Sequence, residues 1–151
     1  MITSTIDNSF CNRKDIPYQG ENILTGKNIV IKDSSGHSLS PLWNFDKNLL
    51  TQNSVYQHFD VMGEMPVTVT VDMLEQVEVS SIICGGAYSR NGDLCTSEYE
   101  IYLSNDETTL FSEQNKAVHY NNDGVWDRSV IGKGSLQLIS FDEAVSGRYI
   151  G

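Results

Sequence analysis

Between Pro66 and Asp106 apolar residues recur at every second position in three successive runs, and this alternation constrains the fold more than any other feature. Val67, Val69, Val71 and Met73 alternate with Thr68, Thr70 and Asp72. Val77 and Val79 alternate with Glu78 and Ser80 before the run Ile82-Ile83-Cys84. Tyr99, Ile101 and Leu103 alternate with Glu98, Glu100 and Tyr102, and Ser104-Asn105-Asp106 follows as a turn. A period of two with β-branched residues predicts strands that bury one face. The pattern therefore predicts three strands separated by two turns, the first turn falling between Met73 and Val77. No stretch here carries a helical stripe.

The rest of the chain extends the same reading. Ile29, Val30 and Ile31 form a short predicted strand ended by Asp33-Ser34-Ser35-Gly36. Asn121-Asn122-Asp123-Gly124 is a strong turn signal, and Val125–Val130 reads as a strand after it. Leu136, Leu138 and Ser140 oppose Gln137, Ile139 and Phe141, so the inward face of that strand is ambiguous. Arg148-Tyr149-Ile150 begins another strand. Many short strands, frequent turns and little helix predict an all-β sandwich or jelly roll. Residues 1–21 are polar and read as a linker or irregular lead-in to a single domain over 22–151.

Composition narrows the partners. The chain has 151 residues and a formal charge of −10, with 10 basic against 20 acidic side chains. Nucleic acids and anionic membranes need clustered Lys and Arg, so this balance argues against both and favours neutral ligands or cations. Residues 1–10 lack the basic and apolar regions of a signal peptide. Cys11, Cys84 and Cys95 are an odd number for a disulfide framework. Cys84, within a strand, reads as a buried thiol. A Cys84–Cys95 bridge is the alternative. No CxxC pair marks a zinc site. The chain also lacks G-x-S-x-G, H-E-x-x-H and a phosphate-cradling glycine loop, so a non-catalytic role is expected.

Several motifs in order resemble one family. Asn22-Ile23-Leu24-Thr25-Gly26-Lys27, then Asp46 with Thr51, then Val69-Thr70-Val71-Asp72-Met73 are similar to the discoidin, or coagulation-factor type C, domain. The run Ser97–Asp106 resembles the strand and Ser-Asn-Asp turn of family-32 carbohydrate-binding modules, and Trp126, Phe141 and Gly147-Arg148-Tyr149-Ile150 follow in the family's order. The resemblance implies a galactose-binding-like jelly roll with its ligand site in loops at one end and a structural calcium ion. The family continues past the Arg-Tyr-Ile strand to a last strand, so the expectation is a C-terminally truncated member. Asp46-Lys47 stands where the family has Asp-Gly.

The loop Tyr88-Ser89-Arg90-Asn91-Gly92 is the candidate sugar site. The resemblance carries an Arg and an Asn here, matched by Arg90 and Asn91. Arginine offers a fixed fork of donors to vicinal hydroxyls, and asparagine offers both a donor and an acceptor. The same composition also suits a solvated hairpin turn. Pyranose rings stack on aromatics, and Tyr56, Phe59, Tyr88, Tyr120 and Trp126 are candidates, Trp126 reading mainly as structural. His58 lies near the family's sugar-binding histidine, although a lone histidine is more often a surface or core residue. His119 reads as a surface residue. Asp46, Asn48 and Thr51 supply oxygen ligands at the family's calcium spacing, or else form an ordinary polar turn. The expected function is a carbohydrate-binding module of a larger secreted or surface bacterial protein, with galactose- or N-acetylhexosamine-type glycans as partners. The alternatives are a structural or protein-interaction jelly roll with a degenerate sugar site, and a membrane-binding discoidin domain, which the net charge disfavours.

Overall fold

A computed structural model of the chain describes residues 2–7, 23, 30–33, 68–85, 98–121 and 136–151. Over these residues the fold is all-β, as the alternation predicts. The strands are β1 (Ser4–Asp7), β2 (Val30–Asp33), β3 (Val69–Gly85), β4 (Glu98–Ser104), β5 (Lys116–Asn121) and β6 (Leu136–Ile150). Two 3-10 turns, Glu107–Thr109 and Glu113–Asn115, link β4 to β5. Among the described residues there is no α-helix. Every pairing is antiparallel, and the strand order is β2-β3-β6-β4-β5 with β1 also on β6.

β6 is the strand the others assemble on. Its first part pairs with β1 on one side and with the end of β3 on the other: Ile139 stands opposite both Ile6 and Ile82. Its last residues pair with the start of β3 and with Leu103 and Ser104 of β4. β1 and β4 thus follow one another along the same edge of β6. Two bulges sit between these regions. From Asp72 to Val77 β3 advances five positions while β6 moves two, from Tyr149 to Gly147. From Val79 to Ser81 β3 advances two positions while β6 moves five, from Val145 to Ser140. The offsets are equal and opposite, so the register beyond Ser81 continues the register before Asp72. Bulges bend and over-twist the strand that carries them, and here they curl the sheet around its core.

The expected turn between Met73 and Val77 is therefore the first bulge, inside one 17-residue strand. Leu74 takes a left-handed backbone, φ 64°. Its N–H donates to Asp72 Oδ1 at 2.8 Å. That carboxylate also receives Arg148 Nε at 2.7 Å and Nη2 at 2.9 Å. Gln76 donates from Nε2 to Ser146 Oγ on the opposing strand. Polar side chains thus complete a departure from the ladder that the backbone alone would leave unsatisfied. A left-handed L-residue costs about 1–2 kcal/mol, and asparagine tolerates that conformation better. Leu74 is largely exposed, so little burial is lost on replacement. Leu74→Asn is expected to raise the free energy of unfolding by about 0.5–1 kcal/mol. A urea titration showing lower stability would refute the idea that Leu74 is strained.

The core unites both regions of the sheet. Met73, Val79, Ile101, Leu103, Ala117, Val118, Ile139 and Phe141 form one buried cluster, with Ile2, Ile6, Ile23 and Val71 packed against it. Gln137, Ile139 and Phe141 are buried, whereas Leu138 and Ser140 are half-buried. This resolves the ambiguous strand in favour of the Gln-Ile-Phe row. Arg148-Tyr149-Ile150 continues the same strand instead of starting a new one. Tyr102, read from its alternation with Glu98 and Glu100 as an outward residue, is also buried. The 3-10 turns bring Phe111 edge-on to its ring at 5.3 Å, and the Lys116 ammonium stands 5.8 Å from its centre. Asp106 caps the first of these turns by accepting from Thr108 N at 2.9 Å, so the Ser104-Asn105-Asp106 segment ends β4 as expected.

Candidate functional site

The residues singled out for sugar binding, Tyr56, His58, Tyr88, Arg90 and Asn91, lie outside the described residues. So do Asp46, Asn48 and Thr51 of the calcium reading, as well as Phe59, Trp126, Cys11 and Cys95. Cys84 falls within β3, opposite Gln137. The described residues define the strand ends that flank residues 86–97 and 122–135. Residues 86–97 connect Gly85 of β3 to Glu98 of β4, and residues 122–135 connect Asn121 of β5 to Leu136 of β6. Gly85 pairs with Leu136, and Glu98 pairs with Asn121. One side-chain bond joins these two pairs: the Tyr99 hydroxyl donates to Gln137 Oε1 at 3.1 Å. All four strand ends therefore gather at one end of the curled sheet.

Three side chains floor this end. Tyr99 stacks on its cross-strand partner Tyr120, with ring centres 5.0 Å apart and planes inclined by 26°. Such a stacked pair contributes about 0.5–1.5 kcal/mol beyond its area burial. Gln137 is 3% exposed, an amide in the row that Ile139 and Phe141 continue. Burial pushes the Tyr120 phenol above its ordinary value. Tyr120, one of the candidate platforms, is half-buried here and packs against the core. This end of the sheet is thus closed by two stacked, half-buried phenol rings and one buried amide.

The outward face of the β4–β5 hairpin is charged. His119 is exposed, as expected, and its Nε2 lies 2.6 Å from Glu98 Oε1. Lys116 Nζ reaches Glu100 Oε1 at 2.9 Å and Glu113 Oε1 at 2.8 Å. Glu100 also accepts from the Tyr102 hydroxyl. That hydroxyl, then Lys116, holds the Glu100 carboxyl below its ordinary value, and the two carboxylates raise the Lys116 ammonium. These carboxylates are engaged in a surface network. Among the described residues no three His, Cys, Asp or Glu side chains are grouped to hold a metal ion.

Sequence reasoning did not single out Gln137 or Tyr99. The available signal was a glutamine in an otherwise apolar row, Gln137-x-Ile139-x-Phe141, which becomes informative once that row is known to face inward. No protein-family model matches the chain, and no curated protein or solved structure matches it either.

Proposed function

We propose that this chain is a non-catalytic carbohydrate-binding module with a galactose-binding-like jelly-roll fold, tethering a larger secreted or surface protein to glycans. The observation that carries the reading is the gathering of four strand ends over the Tyr99–Tyr120–Gln137 floor. The segment holding Tyr88, Arg90 and Asn91 leaves and rejoins the sheet at that end. The ordered motifs similar to family-32 modules point to the same loop. Arg90 and Asn91 would hold vicinal hydroxyls, with Tyr88, Tyr56 and His58 completing the site. The same reading puts a structural calcium ion on Asp46, Asn48 and Thr51. Affinity would be weak, because one shallow site buries little area, and tethering would act through raised local concentration.

An NMR titration with galactose, N-acetylgalactosamine and N-acetylglucosamine tests the proposal on wild type and Arg90→Ala. Shifts confined to residues 56–59, 88–93 and the neighbouring Tyr99, Tyr120 and Gln137 are expected, and they should vanish in the variant. A flat response across a broad glycan panel would sink the reading. A second reading, a protein-interaction jelly roll with a degenerate sugar site, draws on Leu74, a large apolar side chain exposed on a strained bulge. It predicts that flat response.

A further inference from the structure

The segment that contains β1 holds the sheet with a sparse apolar row. Ile2, Ser4 and Ile6 alternate with the exposed Thr3 and Thr5, so its period of two turns one face inward. Ile2 and Ile6 pack against the core yet stay half-buried, and Ser4 puts a hydroxyl between them. The residues they meet are buried more deeply. Ile6 stands opposite Ile139 and Ser4 opposite Phe141 on β6, and Ser4 also reaches Ala117 on β5.

The slot that receives β1 is built by the other strands. β6 is held on its far edge by β3, with Ile82 opposite Ile139, and β5 is held by β4. The near edge of β6 offers backbone groups: the Asp142 N–H donates to the Thr3 carbonyl at 3.1 Å. On β5 the register with β4 passes from Val118 to Lys116 and skips Ala117. The Ala117 carbonyl accepts from Ser4 Oγ at 2.8 Å. A strand entering this slot therefore needs an extended backbone, two apolar side chains four positions apart and a hydroxyl midway. In strand addition of this kind the backbone gives affinity and alternate side chains give specificity.

We propose that β1 is an exchangeable strand, and that its slot between β6 and β5 binds the same Ile-x-Ser-x-Ile segment of a second copy of this chain. The exchanged strand meets each requirement because it is the identical element. Residues 8–22 join β1 to Ile23, which packs on the core. At roughly 3.3 Å per residue this connection reaches about 50 Å when extended, enough to cross from one copy to the next. Within one chain the tether keeps the slot filled through a high effective concentration. Exchange between copies grows with protein concentration. The proposal is independent of the sugar-binding reading.

Two measurements on the full chain test it. Hydrogen exchange on wild type reads detachment. The Asp142 amide, held by Thr3, should exchange about 100-fold or more faster than the amides bonded between β3 and β6, because β1 opens without them. Equal rates would overturn the proposal. Peptide capture reads exchange. A fluorescent peptide of residues 1–8 stands in for the strand of a second copy, and its anisotropy is followed with wild type and with Ile6→Asp, whose own strand is weakened. The variant should bind the peptide about tenfold or more tighter than wild type does. Ser4→Ala in the peptide should weaken capture about three- to tenfold, the loss of one hydrogen bond. No capture by the folded variant, or equal capture of a scrambled peptide, would overturn the exchange. If Ile6→Asp does not fold, Ile6→Thr keeps the β-branch, sheds apolar contact and should show the same order of affinities.

Discussion

Ile139→Ala is expected to lower the free energy of unfolding by about 2–5 kcal/mol in a urea titration. Ile139 is fully buried. It lies on the central strand, with Ile6 opposite on one side and Ile82 opposite on the other. Three isoleucines thus cross the sheet in one row, all facing the core. Two antiparallel partners pin the backbone here, so the cavity left by truncation cannot collapse, and the loss combines transfer and cavity terms. A domain of this size has about 5–15 kcal/mol of total stability, so this is a large share of it. Ile139→Val should lose only about 0.5–1.5 kcal/mol and provides a measurable variant if the alanine form does not fold. An alanine loss below about 1 kcal/mol would mean that the core does not close around β6.

The second large effect is at Asp72. Its carboxylate takes both Arg148 donors and the Leu74 N–H, so one side chain secures the bulge to β6. Asp72→Asn keeps the shape and removes the charge. The expected loss at neutral pH is about 1–2 kcal/mol, below the range for buried charged pairs because Arg148 is partly exposed to solvent. The loss should also depend on pH. The Arg148 guanidinium, against the opposing effect of burial and with help from the Leu74 N–H, holds the Asp72 carboxyl below its ordinary value of 3.8. A carboxyl with a depressed folded pKa contributes stability that is fully present above its unfolded value. That contribution is lost as pH falls through the folded value. The wild-type advantage over Asp72→Asn should therefore hold at neutral pH and shrink progressively beneath about pH 4. Parallel urea titrations at pH 7 and through the acid range measure it. A constant difference would show that the Asp72 charge is not engaged.

Alternation revealed the inward faces well where one side of a strand is apolar and the other charged. Val71, Met73, Ile101 and Leu103 all pack in or against the core as read. It failed where the two faces are alike in composition. Leu138 and Ser140 on one side and Gln137, Ile139 and Phe141 on the other gave no contrast, because each row mixes apolar and polar residues; the first row is half-buried and the second buried. Tyr102 was misassigned for a different reason: its ring is met edge-on by Phe111, which lies between the two 3-10 turns in a segment that has no period. The candidate site was legible only as composition. Arg90, Asn91 and their aromatic neighbours were singled out by residue type alone, and they lie outside the described residues.

The amino-acid pattern by itself determined an all-β chain, the inward rows of β3 and β4, the Ser104-Asn105-Asp106 stop and the acidic charge that disfavours nucleic acid. These are nearest-neighbour properties, set by side-chain period, turn chemistry and a sum of charges. Tertiary structure alone decided that the break at Met73–Gln76 is a bulge within one strand. Sequence offered a turn there; Asp72 and Arg148, 76 positions apart in the chain, make it a bulge by clamping it to β6. Only the fold, too, brings Tyr99 to Gln137, because two compensating bulges curl the sheet until the start of β4 lies over the start of β6. Long-range pairing of that kind is cooperative, and no window of local sequence contains both partners.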